Sequence, residues 1–219
     1  MGSPINLYLS AFNPTSDLGS GATTTVRANN MVGYFLPSNL GGLYGSVQVA
    51  AGEGVKGNKY IGGRLGWAAG PINVSASLAE TDVANANKYK NANVGASYDL
   101  GFAKVMGFWD QRKFGSLKYT TYSVSTAVPL GQGEFRLAYS KGNASGGTAA
   151  FNASDATLLG AEYIYNLSKR TALYGQVGRL QNKGGSTATL VGTGPALVGT
   201  DALGGFTATG YGVGVRHSF

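Results

Sequence analysis

Three features of the chain point the same way: apolar and polar residues alternate with period two almost throughout, connectors are alternately short and long, and the apolar face mixes small residues with aromatics near strand ends. Together they predict an all-β protein, an antiparallel up-and-down transmembrane β-barrel of about eleven or twelve strands. Composition agrees. The 219 residues carry 12% charged residues and 36 Gly, low and high respectively for a globular domain. Thirteen Tyr and nine Phe argue against disorder, which is poor in aromatics.

Taken in order, residues 5–11 alternate as Ile5, Leu7 and Leu9 against Asn6, Tyr8 and Ser10, a candidate twelfth strand. Val26, Val32 and Tyr34 oppose Arg27, Asn29 and Met31. Leu43, Val47 and Val49 then oppose Tyr44, Ser46 and Gln48. Ile61, Gly63, Leu65 and Trp67 oppose Tyr60, Gly62 and Arg64, and Ile72, Val74, Ala76 and Leu78 oppose Asn73, Ser75 and Ser77. Ala92, Val94, Ala96 and Tyr98 face away from Asn91, Asn93 and Ser97. Ala103, Val105, Gly107 and Trp109 face away from Lys104, Met106 and Asp110. Val124 and Val128 oppose Ser123 and Ser125, and Phe135, Leu137 and Tyr139 oppose Glu134, Arg136 and Ser140. Leu159, Ala161, Tyr163 and Tyr165 oppose Gly160, Glu162 and Ile164, while Leu173, Gly175 and Val177 oppose Tyr174 and Gln176. Last, Tyr211, Val213, Val215 and Phe219 share a parity broken by His217, against Gly212, Gly214, Arg216 and Ser218. Strands of roughly 9–11 residues cross a bilayer when tilted.

Short links fall near residues 36–42, 69–71, 99–101, 129–132 and 166–169, and longer ones near 53–58, 80–90, 111–117, 141–156 and 181–206. In a meander every second connector lies at the same end, so one end is tight and the other carries loops. A soluble sandwich would bury its apolar face under a second sheet and use shorter strands. Here Trp67, Tyr98, Trp109, Tyr165 and Phe219 sit where aromatic girdles meet the membrane–water interface. The opposite face is too polar for a dry core.

Chemistry by side-chain constellation is disfavoured. Cys is absent and His217 is the one histidine, which excludes thiol nucleophiles, Cys-ligated metal and His-pair metal sites. No cofactor and no enzyme activity are expected. The glycines 210, 212 and 214 precede no helix that could receive a phosphate. The net charge of +7 is spread singly over strands, without the clustered patch a nucleic-acid binder needs.

Several segments resemble one family. The ending GYGVGVRHSF is similar to the C-terminal strand of Gram-negative outer-membrane proteins, and YIYNLSKRTALYGQ (163–176) resembles the penultimate hairpin of general porins. RANNMVGY (27–34) and NKYIGGRLGWAAGPINVSAS (58–77) resemble middle strands of β-proteobacterial porins of the anion-selective type, and DQRKFG (110–115) fits a loop of that group. The resemblance implies the last part of a sixteen-stranded barrel, with residues 23–219 forming strands, turns and loops. Residues 1–22 would be the tail of the inward-folding, pore-constricting loop or an extra strand. The family's signal peptide and first strands are not in this chain. The resemblance further implies the bacterial outer membrane, contact with the lipid bilayer and lipopolysaccharide, a homotrimer, and passive diffusion of small hydrophilic solutes through a water-filled channel.

In that setting the lumen-parity charges set selectivity. They are Arg27, Arg64, Lys104, Arg136 and Arg216 against Glu134 and Glu162, which favours small anions as permeating solutes. Each Arg also has a structural reading as a wall-stabilising ion pair, with Glu134 and Glu162 in reach of Arg136. The alternatives are a non-conducting barrel fragment or anchor, and a soluble all-β binding protein.

Overall fold

A computed structural model describes residues 18–25, 27–83, 87–186, 188 and 205–218. The alternation at residues 5–11 and the terminal Phe219 lie outside the described residues. Eleven strands form one sheet: β1 (Met31–Phe35), β2 (Leu43–Ala50), β3 (Tyr60–Ala69), β4 (Ile72–Asp82), β5 (Lys88–Asp99), β6 (Lys104–Phe114), β7 (Leu117–Leu130), β8 (Gly133–Ser145), β9 (Ala156–Asn166), β10 (Thr171–Asn182) and β11 (Thr207–His217). Strand order in the sheet is chain order, β1 to β11. Each neighbouring pair is antiparallel, as in the β7–β8 ladder from Lys118↔Ser145 to Leu130↔Gly133. Among the described residues the sheet is not closed, and β1 and β11 are its two edges. One short helix, α1 (Ala149–Asn152), interrupts the link between β8 and β9 and is capped by Thr148, whose hydroxyl accepts from the Phe151 N–H.

The two faces invert the arrangement of a water-soluble sheet. Along β9, Ala156, Leu158, Gly160, Glu162 and Ile164 are buried, while Leu159, Tyr163 and Tyr165 on the other parity are exposed. The exposed parity throughout the sheet carries the apolar side chains, among them Leu65 at 56%, Leu78 at 70% and Val213 at 88% exposure. A soluble protein covers such a surface, whereas a lipid-facing wall leaves it to acyl chains. The soluble all-β alternative fails on this point.

The covered face is polar, with small side chains, and chain segments fold over part of it. Leu18 and Ala22 pack with Val83, Tyr89, Tyr119 and Ala144. Thr23 hydrogen-bonds to Asn58 and to the Gly57 carbonyl, and the Thr24 hydroxyl meets that of Thr81. Ala188 seals a second cluster with Ala138, Ala156, Leu158 and Leu180.

Two sequence expectations change. The first strand starts at Met31 rather than near Val26, because Asn30 takes a left-handed backbone (φ 53°) that extended chain does not accommodate. Arg27 therefore precedes the sheet and is not a strand-borne lining residue. The segment 110–115 is not a loop: β6 continues to Phe114 and β7 starts at Leu117. Gly115 at φ 58° turns the chain there, in a left-handed conformation that costs glycine little.

Candidate pore-lining face

Two groups of charged side chains stand on the polar face. In the half nearer the long connectors, register aligns Arg64 with Ser46 and Ser77, Ser77 with Asn93, Asn93 with Asp110, and Asp110 with Thr121. Arg64 is exposed and its guanidinium carbon lies 5.4 Å from the centre of the Tyr44 ring, a cation–π contact of about 0.5–1 kcal/mol at an exposed site. Glycines make room for this arrangement. A Cβ on Gly66 would come within 2.3 Å of the Tyr44 ring, and one on Gly62 within 2.1 Å of the Tyr60 hydroxyl. The Tyr44 hydroxyl is tied to β4 by donating to Asn73 Oδ1.

Beside it, Asp110 is almost fully buried and held from two sides. Asn91 Nδ2 donates to Asp110 Oδ1 at 2.8 Å, and Arg112 Nε lies 3.2 Å from Asp110 Oδ2. Asn93 Nδ2 in turn donates to Asn91 Oδ1 at 3.2 Å. Asn91, Asp110 and Arg112 border a cavity of about 290 Å³ that Thr24, Thr25 and Thr81 also line.

In the half nearer the tight turns, one register row runs Lys104–Ala127–Arg136–Glu162–Gln176–Gly212 across six strands. Three residues expected from sequence to line a pore thus stand in a line. Arg136 binds Glu162 at 3.1 Å and also pairs with Glu134, two residues along its own strand. Arg216, opposite Ala172, lies on the same face of β11. Among the described residues Arg64, Lys104 and Arg216 form no ion pair. The other lining cations do: Arg136 is absorbed by two carboxylates and Arg112 by one.

Counted by parity, the strands place Arg64, Lys104, Arg112, Arg136 and Arg216 against Asp99, Asp110, Glu134 and Glu162 on this face, five cations against four acids. The sequence ledger had counted Arg27, which is off the sheet, and had left out Asp99, Asp110 and Arg112. The signal for the last two was present: Asp110, Arg112 and Phe114 continue the alternation against Trp109, Gln111 and Lys113.

The aromatic side chains on the apolar face sort into two margins. Trp67 opposite Leu43 and Val74, Tyr98 opposite Ile72 and Val105, and Tyr165 opposite Leu173 lie toward the tight-turn end. Trp109, opposite Val94 and Tyr122, lies toward the other. Tyr165 also donates to Gln132 Oε1 at 2.8 Å, the amphipathic use expected of an interfacial tyrosine.

No helix among the described residues is long and apolar enough to cross a membrane, a fact that leaves crossing by strands untouched. Nor is there a metal-ligating cluster among them.

Comparison with known proteins accounts for this arrangement. The family model described as Gram-negative porin matches residues 4–185. Outer membrane porin protein 32 of Delftia acidovorans is 35% identical over 217 residues, covering 92% of this chain and 60% of that protein. The solved anion-selective porin from Comamonas acidovorans superposes with a TM-score of 0.77 at 34% identity, over 88% of this chain and 60% of that one. In-vitro folded OmpT of Vibrio cholerae, in its trimer form, shares the fold at a TM-score of 0.62 and 15% identity, over 92% of this chain and 68% of its own. The chain thus spans about 60% of the length of the first two relatives. With its apolar wall outward, its charged face inward and relatives of this kind, the chain belongs to the Gram-negative porin family of the bacterial outer membrane.

Proposed function

We propose that the chain supplies the wall of a water-filled channel through which small hydrophilic solutes diffuse passively, with a preference for anions, and that the channel works as a homotrimer. The observation that carries the anion preference is the unequal pairing of charges on the lining face. Three of its four acids are engaged, Glu134 and Glu162 by Arg136 and Asp110 by Asn91 and Arg112, while the fourth, Asp99, stands opposite Lys104 in the ladder of β5 and β6. Against that one acid, three cations, Arg64, Lys104 and Arg216, form no ion pair among the described residues, Arg216 acting on Glu162 only at longer range. A near-balanced formal count therefore presents a positive field to a passing ion, strengthened by the low-dielectric wall behind it. Guanidinium keeps its charge at any working pH and is weakly hydrated, so it attracts anions without trapping them. The long connectors face outward from the cell in this reading and the tight turns face inward, as outer-membrane barrels are built.

The segment at the N-terminal side acts as part of the constriction. Packing of Leu18 and Ala22 against Tyr89, Tyr119 and Ala144 supports this, because all three are on the lining face and a segment lying there occupies lumen. The names of the two relatives, one of them an anion-selective porin, support the same reading.

Planar-bilayer conductance of the refolded chain under a KCl gradient tests it. Discrete steps with a reversal potential of the sign set by chloride are expected. Steps of cation sign would keep the channel and sink the anion preference. A folded chain that gives no steps would make it a non-conducting anchor.

A further inference from the structure

The lumen face carries a large apolar side chain that selection by charge does not use. Phe108 on β6 stands between Met106 and Asp110 on that face and is 43% exposed. A phenyl ring left in lumen water forfeits the free energy of its burial. Register places it at the end of a row that runs Tyr44–Gly66–Ser75–Gly95–Phe108 from β2 to β6. Its ring leans over β5, where a Cβ on Gly95 would lie 3.6 Å away, as the Tyr44 ring lies across Gly66 on β3. Two aromatic rings thus face each other over β4, and in this row the small side chain of Ser75 stands between them. Neighbouring strands are about 4.8 Å apart, so glycines two strands apart set the rings about 10 Å from centre to centre. A third ring lying midway would be about 5 Å from each, within the range of roughly 4.5–7 Å found for aromatic pairs. One edge of the gap is basic: Arg64, two residues from Gly66 on β3, is exposed and stacked on the Tyr44 ring. Two acids of this face flank the gap at a remove. Asp110 is buried and held by Asn91 and Arg112, and Asp99 is four residues from Gly95 along β5, about 13 Å in extended chain.

We propose that the gap between Tyr44 and Phe108 is a transit site for aromatic carboxylates, which lodge the ring between the two aromatic side chains and the carboxylate on Arg64. Its use in transit rests on the channel reading above, to which it adds a class of solute. Charge and shape choose that class together. An inorganic anion meets a single guanidinium there among the described residues and is not held. An aliphatic carboxylate gains the ion pair without the ring contacts. An aromatic cation gains the ring contacts but is repelled by the guanidinium.

The test is interruption of the single-channel chloride current of the full refolded chain by added benzoate, acetate or benzylammonium. Each ring contact contributes about threefold in affinity, so two contribute about tenfold. Benzoate is expected to half-block the current at about one tenth of the acetate concentration, with benzylammonium weaker than benzoate. Phe108→Ala weakens block by benzoate about threefold and leaves acetate where it was. Phe108→Leu, which keeps the apolar bulk and loses the ring, does the same should the smaller residue upset folding. Arg64→Gln weakens both carboxylates. Equal block by benzoate and acetate, stronger block by benzylammonium than by benzoate, or a benzoate preference that survives both Phe108 variants overturns the proposal and leaves the channel reading standing. A folded chain without current sinks the channel reading instead. Saturation-transfer NMR in detergent then decides the site by itself: the benzoate ring protons are saturated by the native chain and less so by Phe108→Leu, and equal saturation overturns the proposal.

Discussion

Arg64 and Arg136 bear the same charge on the same face, and their neighbours give them different roles. Arg64 is exposed, leans on the Tyr44 ring and meets no carboxylate among the described residues. Its replacement, Arg64→Gln, is expected to lower stability by no more than the cation–π contact is worth, about 0.5–1 kcal/mol, while moving the KCl-gradient reversal potential toward zero. Arg136 is the reverse case. Taking it away leaves half-buried Glu134 and buried Glu162 as neighbouring charges without their ion-pair partner. Breaking such a pair from one side costs more than the pair is worth intact. Arg136→Gln is therefore expected to lower stability by about 1–3 kcal/mol, read as a lower temperature for the heat-induced mobility change in gels, and to shift selectivity toward cations. The triple change E134Q/R136Q/E162Q should recover most of that temperature. If Arg136→Gln alone is as stable as the native chain, the network has no structural role.

At the level of elements, the β6–β7 hairpin shows both what could be read in the sequence and what could not. Period two located all eleven strands, because a one-residue slip would send every side chain to the wrong face. It did not locate their ends. Where strands project beyond the lipid, their outward residues turn polar, and alternation of apolar with polar no longer marks extended chain. Residues 110–115 read as loop for that reason, and with them the Asp110–Arg112–Asn91 network was missed. Arg27 erred the other way: parity continued through Asn29 and Asn30, but the left-handed Asn30 ended the strand. The pairing of Arg136 with Glu134 and Glu162 was legible, since like parity and adjacent strands bring them together. The Tyr44 platform under Arg64 was not, because nothing in sequence spacing says which glycine a ring lies across. The same hairpin yields a prediction. Gly146, at the end of β8, is in a left-handed conformation at φ 84°, and a Cβ there would lie 1.9 Å from the Ser116 carbonyl oxygen in the β6–β7 turn. Gly146→Ala must displace backbone, whereas Gly70→Ala, at φ 53° with nothing within 4 Å, pays only about 1–2 kcal/mol of backbone strain. Heat-modifiable migration of the two variants should therefore separate them clearly, Gly146→Ala unfolding at the lower temperature. Equal temperatures would mean that the two turns are not in contact in the folded barrel.

For the molecule as a whole, selectivity is a property of the field rather than of any one residue. The lining cations outside ion pairs are spread over β3, β6 and β11, at Arg64, Lys104 and Arg216, and among the described residues no cradle of converging donors holds an anion in place. A field of this kind acts only as far as mobile salt allows. The screening length is about 10 Å at 0.1 M and about 3 Å at 1 M. At the lower concentration the influence of each cation reaches well across a solute-sized lumen, and at the higher one it stays near the wall. The reversal potential of the native chain, measured at a fixed tenfold KCl gradient, should accordingly fall toward zero as both sides are raised from tens of millimolar toward the molar range, with Arg64→Gln starting lower and converging on the native value. A tight anion site would behave otherwise. It would saturate in conductance while keeping its sign and most of its magnitude at high salt. A reversal potential indifferent to absolute concentration would show that selectivity is local, and would shift attention from the dispersed cations to the cavity beside Asp110 and Arg112, under the segment that carries Thr24 and Thr25.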